Sequence, residues 1–237
     1  MGTVEMVSQD PRAKIRRDAV GMAAYAAAFG ASFGAVSVAS GLDVAQTMML
    51  SLVMFSGASQ FALIGVIGGG GAGLAAAGAA LLLGVRNTFY GIPMARILGK
   101  HGLRGRRRAI AAQLVIDETT AMAVGQDDPP AQRYAFWTTG VLLFLLWNTG
   151  SLVGAIGGLA MGDPATLGLD AVAPAAFLAL LWPRLREPSA RWVAVAGAAA
   201  ATVLVPLLPP GVPVLAAAPV AVVAGLLPRR SAPEGAA

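Results

Sequence analysis

Cysteine is absent from the 237 residues, and histidine occurs once, as His101. Zinc, iron–sulfur and haem sites draw on Cys or His ligands, so chemistry of those kinds has no ligands to work with, and no disulfide can form. Charge is scarce as well. Only 12% of the residues are charged, about half the ~25% of an ordinary soluble domain. So few charges cannot cover the surface of a soluble protein of this length. They are also unevenly spread, with none in 19–40, none in 44–85 and none in 134–162.

What fills those gaps is apolar: 57% of the chain is hydrophobic, and the mean hydropathy is +0.70. Each charge-free run meets or exceeds the roughly 20 residues that cross a bilayer. Apolar stretches lie at 19–40, 44–67, 73–98, 109–125, 134–160, 171–183, 191–208 and 212–227. The expected fold is an all-α polytopic membrane protein with about 6–8 transmembrane helices. Residues 1–18 would form a basic cytoplasmic tail, 19–227 the membrane domain and 228–237 a C-terminal tail. Eight crossings at ~20 residues each take about 160 residues, so little remains here for a nucleotide-binding or catalytic domain. The net charge of +5 comes from arginines and lysines beside apolar runs. There they anchor topology, and no nucleic acid partner is implied.

The basic clusters set a puzzle. Residues 12–17, 100–108, 184–191 and 229–230 all favour the cytoplasmic side. Three apolar stretches separate the first cluster from the second, and three more the second from the third. Three full crossings would put 100–108 outside. Either that loop violates the charge rule, or one stretch in each triplet enters and returns without crossing. The second stretches, 44–67 and 134–160, suit that role, because each has a small, polar interruption. These are Ser56-Gly57-Ala58-Ser59-Gln60 and Asn148-Thr149-Gly150-Ser151. Each follows an aromatic, Phe55 or Trp147, and runs into glycine-spaced apolar sequence. That pattern suggests a 3+3 repeat, 19–98 and 109–185, with broken second helices and extra helices over 191–227. Broken helices in matching positions mark substrate sites in transporters.

Two literal motif matches carry no chemistry. Gly30-Ala31-Ser32-Phe33-Gly34 fits the nucleophile elbow, but it lies inside an apolar run with no histidine in reach. It reads better as a GxxxG helix-packing motif. Gly68, Gly70 and Gly73 fit the dinucleotide fingerprint but join two membrane stretches and lack a following ribose-binding acid.

The ionisable groups in the middle of apolar stretches are Arg86, with Asn87 beside it and Tyr90 one turn on, and the adjacent Asp117 and Glu118. A charge at mid-bilayer costs about 2.5–3.5 kcal/mol on insertion scales, so it faces the protein interior and finds a partner. An Arg86–Asp117 or Arg86–Glu118 pair would serve, either as a structural bridge or as part of a substrate and coupling site. The polar breaks add Ser56, Ser59, Gln60, Trp147, Asn148 and Ser151. These either let helices approach closely or present free N–H groups of half-helices to a substrate carboxylate.

Phe55-Ser56-Gly57-Ala58-Ser59-Gln60-Phe61, then Arg86-Asn87-Thr88-Phe89-Tyr90-Gly91, then Asp117-Glu118-Thr119-Thr120 resemble the AzlC family in order and spacing, over roughly 15–185. Where that family carries Asn-Leu-Arg-His, this chain has Gly84-Val85-Arg86-Asn87, so the arginine is what the resemblance covers in that block. The resemblance implies the large subunit of a two-component exporter of branched-chain amino acids in a bacterial inner membrane. Its partner would be a small hydrophobic AzlD-like subunit. Glycine-spaced faces such as Gly154/Gly158 and Gly65/Gly69 could dock that helix. The expected function is therefore a proton-coupled secondary transporter of hydrophobic amino acids, not an enzyme and without a cofactor. Asp117 or Glu118 would titrate, and the N-terminus would be cytoplasmic. A passive channel would need a continuous polar lining. An intramembrane enzyme would have only two adjacent acids, about 100° apart on a helix, to work with.

Overall fold

The computed structural model describes residues 10–99, 103–160 and 181–226, together with Ala175 and Leu178. The stretch expected at 171–183 lies largely outside these residues, as do the tails 1–9 and 228–237 and the start of the basic cluster at 100–102. All regular elements among the described residues are helical.

Helix α1 spans Pro11–Ala39. Asp10 accepts the Arg12 N–H at 3.0 Å, and Pro11 fits the first helical turn. Arg12, Lys14, Arg16 and Arg17 therefore form the first turns of α1, and not a tail ahead of it. After the Gly41 turn, Asp43 and Gln46 form a reciprocal capping box (2.7 and 2.9 Å) that starts α2, Val44–Val53. Met54, Phe55 and Ser56 are non-helical, and α3 follows at Gly57–Gly68.

The pair α2–α3 is a hairpin. Gln60, in the first turns of α3, donates its side-chain amide to the Leu50 and Met54 carbonyls at the end of α2. At the far end of α3, Gly68 lies against Ser40, so close that a Cβ would stand 2.7 Å from the Ser40 Oγ. The segment thus returns to the end of α1 from which it departed. At 10 and 12 residues, each arm reaches about 15–18 Å, roughly half the ~30 Å hydrocarbon core.

Helix α4, Gly73–Gly99, then runs antiparallel to α3. Ala75, Ala76 and Ala79 pack on Ala62 and Val66, and Gly84 reaches the level of Ser59. A second break comes next. Helices α5, Gly105–Gln113, and α6, Asp117–Val124, are joined by Leu114, Val115 and Ile116. The span expected at 109–125 is therefore a second hairpin. Thr119 ties its tip, donating to the Leu114 carbonyl (2.6 Å) and accepting the Ile116 N–H (3.1 Å).

Helix α7, Pro129–Ala160, runs without interruption for 32 residues, so the break expected at Asn148–Ser151 does not exist. The physical reason is local. Asn148, Thr149 and Ser151 donate to the carbonyls of Phe144, Leu145 and Trp147 four residues back, at 2.7–2.8 Å. Polar groups satisfied within their own helix leave it intact. With no break in 134–160, the 3+3 repeat over 19–98 and 109–185 has no matched second helices.

Helices α1 and α7 lie parallel along a seam without side chains. Gly150, Gly154 and Gly158 face Ala27, Ala31 and Ala35, while Gly30 and Gly34 face the backbone of Trp147 and Ser151. Gly30–Gly34 thus acts as the packing motif expected of it, and Gly154/Gly158 is filled by α1 and cannot dock a foreign helix. Gly65 of the other proposed face has open space beside it. Past a 3₁₀ turn at Arg184–Arg186, helices α8, Pro188–Leu204, and α9, Val212–Leu226, follow, with Leu215 of α9 against Gly78.

The two hairpins enter from opposite ends. Arg12 stacks over the Tyr134 ring at 5.4 Å, which sets the starts of α1 and α7 level, and Gln132 of α7 donates to the Gln126 carbonyl beyond α6 (3.0 Å). The α5–α6 hairpin therefore leaves and returns at the basic end, and α2–α3 at the other. Neither adds a crossing, so Arg12–Arg17 of α1, Arg104, Arg106, Arg107 and Arg108 gather at one end. For these two clusters the conflict is removed by one predicted hairpin and one unpredicted. Among the described residues, three helices, α1, α4 and α7, have the ~20 residues of a span; α1 and α7 are apolar throughout such a length. The core mixes apolar residues such as Phe33, Phe61 and Phe136 with fully buried Ser37, Thr47, Gln60, Thr119, Thr139 and Ser151, while Leu145, Val153, Ile156 and Leu159 of α7 face outward. An outward apolar face of that extent suits lipid.

Candidate functional site

The hairpin tips meet between α1, α4 and α7. Gln113, the last residue of α5, donates to the Leu52 and Val53 carbonyls at the end of α2, both at 3.0 Å. It satisfies carbonyls that the unwound tip would leave bare, as backbone at membrane depth requires. Beside this junction is a cavity of about 230 Å³.

Every core element supplies part of its wall. Helix α1 gives Met22, Tyr25, Ala26 and Phe29; the first tip gives Phe55, Ser56, Gly57 and Ala58; α4 gives Arg86; the second tip gives Ile116, Asp117 and Glu118; α7 gives Leu143 and Trp147. Apolar side chains line most of it. The charges are concentrated at one place, where Arg86 Nη1 stands 3.4 Å from Asp117 Oδ2. Arg86 is the central residue of α4, so this pair lies at mid-depth. Of the two pairings the sequence allowed, the structure forms the one with Asp117, with Glu118 on the same wall.

Both half-helices that begin at the tips have their N-termini here. An α-helix start leaves backbone N–H groups without partners and carries partial positive charge. At α6 the chain supplies its own acids, Asp117 and Glu118, in the first turn. At α3 it does not. Ser56 makes no cap, and its hydroxyl donates instead to Ser59 Oγ at 3.3 Å.

The sequence-expected residues separate into two groups. Ser56, Arg86, Asp117, Glu118 and Trp147 border the cavity. Ser59 and Asn87 line a second cavity on the other side of the Phe55–Ser56 tip, with Thr88 and Gln113. Gln60 turns to the end of α2. Asn148 and Ser151 are held within α7, with Ser151 also accepting from Ser51 (3.2 Å). Tyr90, half-buried on α4, is not among the lining residues. Sequence reasoning missed the apolar wall, because Met22, Tyr25, Phe29 and Leu143 look like any residues of an apolar run. It also missed Gln113 and Thr119, whose signal was a hydrogen-bonding side chain on each side of the second tip. Among the described residues, no three His, Asp or Glu side chains gather as a metal site requires.

The model of the AzlC protein family matches residues 21–161, which hold most of α1, all of α2 to α7 and every wall of the cavity. No curated protein and no solved structure matches the chain.

Proposed function

The chain belongs to the AzlC family, a family of membrane transporters, and from that premise we propose that it is the large subunit of a secondary exporter of branched-chain or other hydrophobic amino acids. The observation that carries this reading is the mid-depth cavity, in which one arginine and two acids share a small space with an apolar wall. A hydrophobic amino acid needs both: charged partners for its backbone groups and apolar surface for its side chain. Re-entrant half-helices ending at such a cavity are the usual way a transporter presents backbone polarity at the bilayer midplane.

In this reading the proton gradient drives export, and Asp117 or Glu118 carries the proton, since an intramembrane acid facing a cavity is the natural titrating group. The protein sits in a bacterial inner membrane, with the arginine-rich end and the N-terminus in the cytoplasm by the positive-inside rule. A small hydrophobic AzlD-like subunit completes it. With Gly154 and Gly158 taken by α1, the open side of Gly65 on α3 is the remaining glycine face for that contact.

The test is counterflow of radiolabelled leucine in proteoliposomes, with the full chain alone and together with the small subunit. Unlabelled leucine inside should accelerate labelled uptake, and an imposed pH gradient should drive accumulation. Uptake indifferent to leucine on the other side would indicate a pore. No leucine flux in either preparation would overturn the reading.

A further inference from the structure

Several hydrogen-bond donors without acceptors belong to residues that line the cavity. The start of α3 carries no capping side chain. Trp147, only 8% exposed, borders the cavity, and its Nε1 has no partner. Its ring rests on the first residue of α3, so that a Cβ on Gly57 would stand 2.9 Å from the Trp147 Cη2. Arg86 adds a buried Nε without a partner. Against these donors stand Asp117 and Glu118. The bond between the two sides, Arg86 to Asp117, is 3.4 Å long, beyond the roughly 2.7–2.9 Å of a tight charge-assisted hydrogen bond. The pair is in contact without being locked.

Building on the transport reading above, we infer that the substrate opens this ion pair and takes both places in it. Its carboxylate lodges among the α3 N-terminus, the Trp147 indole N–H and Arg86, and its ammonium lodges on Asp117 and Glu118. The site thereby selects zwitterionic α-amino acids over molecules that carry one charge. The reason is charge conservation at mid-depth. Empty, the arginine and aspartate neutralise each other; with a zwitterion between them, each still has an opposite partner. A carboxylate without an amine would satisfy Arg86 and strand Asp117, and an amine without a carboxylate would do the reverse. Stranding an unpaired charge at mid-depth is what such a site does not tolerate. Indole N–H is a donor that never titrates, so it favours the carboxylate end at any pH.

The experiment is competition against leucine counterflow in the same two preparations. The competitors are leucine itself, 4-methylpentanoate, which lacks the ammonium, and 3-methylbutylamine and leucinamide, which lack the carboxylate. Leucine should compete fully, and each single-charge analogue at least about tenfold more weakly, as the loss of a charge-assisted hydrogen bond dictates. Trp147→Phe keeps the ring and removes the donor. It should raise the leucine half-saturation concentration about tenfold while leaving inhibition by 3-methylbutylamine unchanged. Analogues that compete within about threefold of leucine, or a Trp147→Phe protein with wild-type half-saturation, overturn the inference and leave leucine transport standing. Should Trp147→Phe fail to fold, the analogue series on the unaltered chain decides. If the unaltered chain moves no leucine, the transport reading falls and this inference with it.

Discussion

A polar residue in an apolar helix has two ways to be satisfied, and the choice is visible here side by side. Asn148, Thr149 and Ser151 bond back to their own helix, whereas Gln60 and Gln113 reach across to another. The sequence marks all of these as polar interruptions and cannot separate them, because a single turn of rotation decides which carbonyl is nearest. Arg86 and Asp117 were legible as partners, since two opposite charges at membrane depth have few other solutions. Arg86→Ala should abolish leucine counterflow and lower the melting temperature, as Asp117 loses its cation. Adding Asp117→Asn should restore the melting temperature and not the transport. Arg86→Lys keeps the charge but not the planar fork for a carboxylate, and should keep stability while export falls about tenfold. Near-wild-type export by Arg86→Ala would remove the residue from the site.

At the scale of elements, stability rests on two devices. The first is the capped hairpin. Gln60 is fully buried and donates to the Leu50 and Met54 carbonyls at the end of α2, each of which also accepts a backbone N–H, so Gln60→Leu removes the second bond to each at about 0.5–1.5 kcal/mol apiece. Thermal unfolding of the purified chain should register that loss, and an unchanged melting temperature would mean water or a shifted tip fills the role. The second device is the α1–α7 seam. A methyl group on Gly154 would collide with the Ala31 backbone, while Gly157, three residues on, has nothing within 4 Å. Gly154→Ala should therefore destabilise by about 1–3 kcal/mol, the usual cost of overpacking. Gly157→Ala should be neutral, and equal effects in the two variants would mean that the helices are not in contact there. The GxxxG spacing announced a close contact, but it did not name α7 as the partner of α1.

For the whole molecule, the decisive feature is that the two hairpins enter from opposite ends and touch at their tips. This is directly testable, since the chain has no cysteine and single-cysteine variants need no altered background. Ala45→Cys and Ala72→Cys flank α2–α3, at exposed positions, and should react with an impermeant maleimide from one side of the membrane. Arg106→Cys and Asp127→Cys flank α5–α6 and should react only from the other. Labelling of Ala45→Cys and Ala72→Cys from opposite sides would make α2–α3 a full crossing and overturn the arrangement.

Scarce charge and long apolar runs determined, with no structure needed, that this chain is helical and suited to a bilayer. The conflict among its basic clusters left two solutions, a basic loop against the charge rule or a stretch that turns back. The sequence identified 44–67 correctly, because Ser56-Gly57 places weak helix formers in the middle of the run. It chose 134–160 wrongly, because a serine, an asparagine or a threonine bonded to its own helix reads the same as one at a break. The true second break, at Leu114–Ile116, is itself apolar, and its warning lay in the hydrogen-bonding side chains of Gln113 and Thr119 on either side. Only the folded chain supplies Gln113 and Thr119 to satisfy the carbonyls that such a break exposes. The cavity belongs to tertiary structure for the same reason: its walls come from five separate segments, and their meeting depends on two half-length hairpins that stop at the same depth.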